Sequence, residues 1–142
     1  MSGFIGSFQH QIDEKGRLSL PAQFRRESGG QTLVLVHAFS DSLTLYPEST
    51  WEGVQEKLRE AMRGSPANRA WALGVTANAV EVTPDKQGRI LVPQKMQDAV
   101  GIDGAALVVG AIDRIEIWNP GRFNAVTAPA EQSDDIKLKV FG

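Results

Sequence analysis

No cysteine occurs in this 142-residue chain, so disulfides and thiolate metal sites are excluded and a cytoplasmic setting is expected. Histidine is nearly as scarce. His10 and His37 are the only two, they stand at no ligand-like spacing, and His10 falls in an apolar alternation as a strand residue, so no metal site is expected. No apolar run approaches the roughly 18 residues that span a bilayer, and MSGFIGSFQHQ has neither a basic leader nor a continuous apolar segment, so neither a membrane span nor a secretory signal is expected. The glycines fit neither a P-loop nor a dinucleotide fingerprint, and no serine stands in a nucleophile elbow. The expectation is therefore a protein that is not an enzyme, with no cofactor and no small-molecule substrate.

Excess positive charge is also missing. Fifteen Lys and Arg face seventeen Asp and Glu, a formal net charge of −2 and a pI near 5.7, which by itself argues weakly against a nucleic-acid binder. The distribution matters more than the sum: Lys15, Arg17, Arg25 and Arg26 crowd the beginning, while Glu131, Asp134 and Asp135 load the other end. A hydrophobic fraction of 42% with 23% charged residues is that of an ordinary globular protein, and 142 residues suffice for one ordinary core or two very small ones.

What the chain does contain is one phrase written twice. DEKGRLSLP, from Asp13, returns as DKQGRILVP, from Asp85, an offset of 72 residues that also superposes Gly16 on Gly88, Arg17 on Arg89, Pro21 on Pro93 and Gly29 on Gly101. Further along, Asp41 falls on Asp113, Leu45 on Ile117 and Tyr46 on Trp118. This period is longer than the roughly 20 to 50 residues of solenoid repeats, so it marks a duplicated small unit rather than an array.

Each unit reads mostly as strand. Phe8, His10 and Ile12 alternate with polar residues, as Val80 and Val82 do, the period of a sheet with one buried face. Asp13 and Gly16 occupy the first and fourth places of a type I turn, which predicts a hairpin loop, with Gly supplying the positive φ. Beyond it Leu18 and Leu20 point inward and Arg17 outward, and Ile90 and Val92 do the same for Arg89. Pro21 and Pro93 are placed to start short helices, PAQFRRESGG and PQKMQDAVG. LVLV (Leu33 to Val36) and ALVV (Ala106 to Val109) read as buried strands, and SLTLYP and RIEIWNP as alternating ones. Between the units, Ser49 and Glu52 form a capping-box pattern, and Trp51, Val54, Leu58 and Met62 recur at helical spacing; ANRAWALG reads as a further short helical turn. The expected organisation is a first unit at 4–50, linking helices at 51–74, a second unit at 75–124, and a polar tail at 129–142 that is largely disordered. Trp51, Trp71 and Trp118 read as packing anchors rather than base-stacking platforms.

FIG near the start, QIDEKGRLSLPAQFR, LTLYPESTWE, DKQGRILVP and IEIWNPGRF together resemble the MraZ family of bacterial transcriptional regulators, built from two tandem SpoVT/AbrB-like units. The resemblance covers residues 4 to 125; the tail has no counterpart in it. It implies an α+β protein that is mainly β with short helices, a swapped-hairpin AbrB-like β-barrel formed by the two repeats of one chain. It further implies a homo-oligomeric ring, association with the nucleoid, and binding of double-stranded DNA at direct repeats upstream of the protein's own gene, in the cell-division and cell-wall gene cluster. The family's Asp and Arg separated by three residues fall here on Asp13 with Arg17 and on Asp85 with Arg89.

Physically, an exposed Asp and Arg flanking a turn contribute only about 0 to 1 kcal/mol as an ion pair, so a turn cap beside a solvated arginine is the bland reading. Retention of the pair in both copies favours a shared surface task. Arg17 and Arg89 would contact DNA, with Asp13 and Asp85 orienting them, since arginine grips phosphate and reads guanine edges bidentately. Lys15 fits a phosphate contact; its counterpart is Gln87, and the second copy's lysine is Lys86 instead. Arg25 and Arg26 are either backbone contacts or the solvated face of a short helix. With Lys15, Arg25 and Arg26 all in the first copy, that copy is expected to be the stronger DNA-facing half. The competing class is an oligomeric scaffold or protein-binding module on the same barrel without specific DNA binding.

Overall fold

A computed structural model describes residues 3–128 and 134–142. The first copy runs β1 (Ser7–Gln11), β2 (Arg17–Ser19), α1 (Ala22–Ser28), β3 (Leu33–Phe39) and β4 (Ser42–Pro47). Two helices follow, α2 (Glu48–Met62) and α3 (Pro66–Asn78). The second copy repeats the order as β5 (Val80–Val82), β6 (Arg89–Leu91), α4 (Gln94–Ala99), β7 (Ala105–Gly110) and β8 (Ile115–Trp118), before α5 (Pro120–Thr127) and α6 (Asp134–Phe141). None of the described helices is long and apolar enough to cross a membrane.

Within each copy β3 pairs with β4 and β7 with β8, but β1 does not pair with β2, nor β5 with β6, as a plain hairpin would require. Six of the strands form an antiparallel sheet in the order β1-β7-β8-β4-β3-β5, and β2 pairs with β6 in a separate two-stranded ribbon. The turn after β1 forms as its sequence predicts, but the chain parts on either side of it: β1 joins β7 of the second copy, and β2 joins β6. The second copy answers in kind, with β5 on β3. This exchange of arms is the swapped-hairpin arrangement. Its pseudo-twofold axis is visible in the register, because Leu18 opposes Ile90 and Thr44 opposes Glu116, each pair related by the 72-residue offset.

The same register exposes a slip. Phe8 pairs with Val108 and its equivalent Val80 with Leu35, so β3 corresponds to β7 at an offset of 73 rather than 72. A bulge between Val36 and Phe39 restores the original offset by Asp41. The extra residue is absorbed where the chain turns, which keeps Leu33, Leu35, Ala106 and Val108 all facing the core.

Leu18, Leu20, Ile90 and Val92 of the ribbon arms are buried in one cluster with Leu33, Leu35, Leu43, Leu45, Ile115 and Ile117 of the sheet. The ribbon therefore covers one face of the sheet, and neither half owns a complete core. That suits the size of each half, since some 70 residues alone bury a smaller share of their surface than an interlocked pair does. Phe24 of α1 closes one end, edge-on to Phe4 at 5.6 Å and to Phe8 at 5.5 Å between ring centres. On the opposite face, α2 and α3 cover Val34, Val36 and Tyr46 with Trp51, Val54 and Val75.

Several local expectations change. The Ser49–Glu52 capping box does not form: Pro47, at φ −60°, ends the strand and α2 begins at Glu48, which places Ser49 inside the first turn with no side-chain cap bond. α3 is a full helix of 13 residues rather than a short turn, begun by Ser65, whose hydroxyl accepts from the Asn68 N–H at 3.1 Å with Pro66 at the first helical position. Trp118 is buried against Phe123 and Trp51 packs on Tyr46, but Trp71 lies on the outer flank of α3, 54% exposed, and anchors little. Within the tail, Asp134–Phe141 is helical, with two acids in its first turn and a lysine in its last, the polarity a helix dipole favours; residues 129–133 lie outside those described.

Candidate nucleic-acid interface

Each repeated turn is a small cage around one carboxylate. Asp13 Oδ1 accepts from the backbone N–H groups of Lys15 and Arg17, both at 2.9 Å, while Oδ2 accepts from Arg17 Nε at 2.7 Å. The main chain closes underneath, with Gly16 N–H donating to the Asp13 carbonyl at 2.9 Å and Asp13 N–H to the Arg17 carbonyl at 3.0 Å. Gly16 turns the corner at φ 83°, which a residue with a Cβ resists. The second copy reproduces this: Asp85 Oδ1 accepts from Gln87 and Arg89 N–H at 2.9 Å, Oδ2 from Arg89 Nε at 3.1 Å, and Gly88 sits at φ 77°. Arg17's backbone N–H, more than its side chain, holds the Asp13 carboxyl below the usual carboxylate range; Arg89's does so for Asp85.

These bonds engage only the Nε edge of each guanidinium. Both Nη groups of Arg17 and Arg89 carry no hydrogen bond among the described residues, so each arginine is oriented by its own turn with its terminal donors free. The ribbon decides where they point. Leu18 and Ile90 face the core, so Arg17, Ser19, Arg89 and Leu91 share the opposite face, with Arg17 across from Leu91 and Arg89 across from Ser19. The two arginines thus sit diagonally on one side of one ribbon, roughly 7 to 8 Å apart at the backbone. Leu91, 56% exposed, stands among them. The repeated motif does not mark Leu91, although its alternation with Ile90 and Val92 assigns an apolar side chain to the outward face.

Lys15 and Lys86 lie exposed at the turn tips. Arg26 is exposed on α1. Arg25 is elsewhere than its place in the chain suggests: its side chain lies directly over Gly88, in the second copy's turn, and it buries that glycine, whereas Gly16 in the first turn is only half-buried. The first turn's corresponding neighbour is Gln97, buried in α4, whose Nε2 donates to the Val92 carbonyl at 2.8 Å. Arg25 therefore does not reinforce the first turn. Among the described residues no group of three or more His, Cys, Asp or Glu is placed to hold a metal ion.

Two tandem copies of one strand-turn-strand unit, interlocked by exchanged arms and each presenting an Asp-oriented arginine, define the class: a duplicated swapped-hairpin protein. The chain matches the family described as "MraZ protein, putative antitoxin-like" twice, over residues 4–72 and 75–138, and it belongs to that family. The second match reaches into α6, beyond the span that the sequence motifs marked. The transcriptional regulator MraZ of Thermomicrobium roseum is 41% identical over 122 residues, 86% of this chain and 85% of the relative. Those of Pediococcus pentosaceus and Heliobacterium modesticaldum are each 36% identical, over 94% and 97% of this chain and 93% and 98% of their own lengths. A role in transcription regulation is what this membership supports.

Proposed function

We propose that this protein is a sequence-specific, double-stranded DNA-binding regulator that acts as a homo-oligomeric ring on direct repeats upstream of its own gene, in the cell-division and cell-wall cluster. One observation carries the reading: Arg17 and Arg89 lie diagonally on the outward face of a single two-stranded ribbon, each clamped through Nε by its own aspartate. A two-stranded ribbon is of a size that the major groove admits, and a guanidinium held by one edge keeps the donors that meet guanine O6 and N7 or a phosphate. Asp13 and Asp85 act as positioning residues, fixing at folding the rotamers that binding would otherwise have to order.

A chain of net charge −2 with few phosphate contacts binds weakly as a monomer at physiological salt. A ring offering the same ribbon to several repeats offsets this through effective concentration, by about 10² to 10⁴ in avidity. The test is a titration of the protein against DNA from upstream of its gene at several salt concentrations, with Arg17→Ala and Arg89→Ala in parallel and the native mass measured alongside. The expected result is salt-dependent binding that both substitutions weaken by more than about tenfold. Binding that is absent, or indifferent to salt and to both substitutions, would leave the scaffold reading in its place.

A further inference from the structure

The two turns are alike in sequence but not in surroundings. Beside the first, a groove is walled by Asp13, Glu14, Asp98 and Asp103, so Lys15 and Arg17 work against four carboxylates. The second turn gathers Lys86 and Arg89 around Asp85 and receives Arg25 from the other copy. Counting these groups, the first end carries two cations against four acids, and the second three cations against one. Equivalent positions underlie the contrast: Arg25 corresponds to Gln97 and Lys86 to Glu14, at the 72-residue offset.

Arg25 is also unspent. Its Nε is fully buried without an acceptor, and it has no acidic partner within ion-pair distance among the described residues. That buried Nε is itself out of a ligand's reach, but the two Nη groups of the same guanidinium are not buried in this way and carry no hydrogen bond among the described residues, so they remain for an anion at the turn. Gly88 is what lets it lie there, since a Cβ at that glycine would overlap the Arg25 guanidinium.

We infer that Arg25, Lys86 and Arg89 form a composite phosphate clasp at the second turn, so that the chain's backbone grip on DNA resides at that end rather than at the first. This rests on the DNA-binding reading and assigns unequal work within it. The arm exchange is its cause: a cation encoded in the first copy is delivered to the second copy's turn. Phosphate contacts add affinity uniformly across sequences and raise the salt dependence, so the clasp has its own signature.

The experiment uses the full chain and two labelled duplexes, one from upstream of the protein's gene and one with that sequence scrambled, titrated across a salt series. Arg25→Gln, which installs the residue that the other copy already accommodates at this position, is expected to weaken binding to both duplexes about equally, by about tenfold, and to lower the slope of log K against log salt by about one. Gln97→Arg should raise that slope by a similar amount. Arg25→Lys keeps the charge and should keep the slope, which separates charge from packing. Unchanged binding for Arg25→Gln, or equal losses for Lys and Gln with melting temperatures intact, overturns the clasp. If Arg17→Ala and Arg89→Ala still weaken binding, the regulator reading survives that result; if the unaltered protein binds neither duplex, both fall.

Discussion

Leu18→Ala should destabilise the half of the protein that does not contain Leu18. The side chain is fully buried and lies opposite Ile90 in the β2·β6 ribbon, inside a cluster built from both copies. Removing three carbons from such a site costs about 3 to 5 kcal/mol, transfer and cavity together. A chain of this size loses roughly 2 kcal/mol of stability per molar urea, so the midpoint should fall by about 1.5 to 2.5 M. The reporter is Trp118, in the second copy and buried against Phe123, made the sole tryptophan by Trp51→Phe and Trp71→Phe. At fixed protein concentration, Trp118 fluorescence and far-UV circular dichroism should shift together as one transition. Ile90→Val alone should cost about 0.5 to 1.5 kcal/mol. Combined with Leu18→Ala it should depart from additivity by at least about 0.5 kcal/mol, because the two side chains share a contact. Two independent cores would give the opposite: an early transition in circular dichroism, an unmoved Trp118 signal and strict additivity. That outcome would refute the exchanged-arm account of how the chain is held together.

The turn carboxylates give a pH prediction. Asp13 and Asp85 are held below their ordinary value of 3.8, so the stability they contribute is fully present above that value and is lost as pH falls through their lowered values. Asp13→Asn with Asp85→Asn should therefore flatten the decline of the urea midpoint below about pH 4; an acid limb parallel to that of the unaltered protein would remove these turns from the account. The two linking helices give a contrast in capping. Ser65→Ala should lower stability by about 1 kcal/mol by freeing the Asn68 N–H, whereas Ser49→Ala, which breaks no cap bond, should stay within about 0.5 kcal/mol, both read from thermal or urea melts.

Much of the site was legible because its determinants are local. An aspartate at the first place of a turn, a glycine at the fourth and an arginine one step on produce the same cage wherever they occur, and the alternation of Leu18 and Leu20 settles which way Arg17 faces. The strand order within each copy was legible for the same reason. Local signals failed where a neighbour outranked them. Pro47 outranked the capping-box pattern at Ser49, and Gly74 together with a weak apolar stripe disguised a 13-residue α3 that packing against β3 sustains.

The sequence by itself determined that there are two copies, that each makes a carboxylate-caged turn, and that an arginine leaves each turn on the side away from the core. Only the tertiary structure decided which copy each arm belongs to, and with it the one-residue slip between β3 and β7, the diagonal pairing of Arg17 with Arg89 on one ribbon, and the delivery of Arg25 to Gly88. The physical reason is range. Turn and alternation are set by residues within a few positions of one another. The arm exchange is set by which apolar surfaces can close a shared core, a competition between partners some 70 residues apart that no local pattern records.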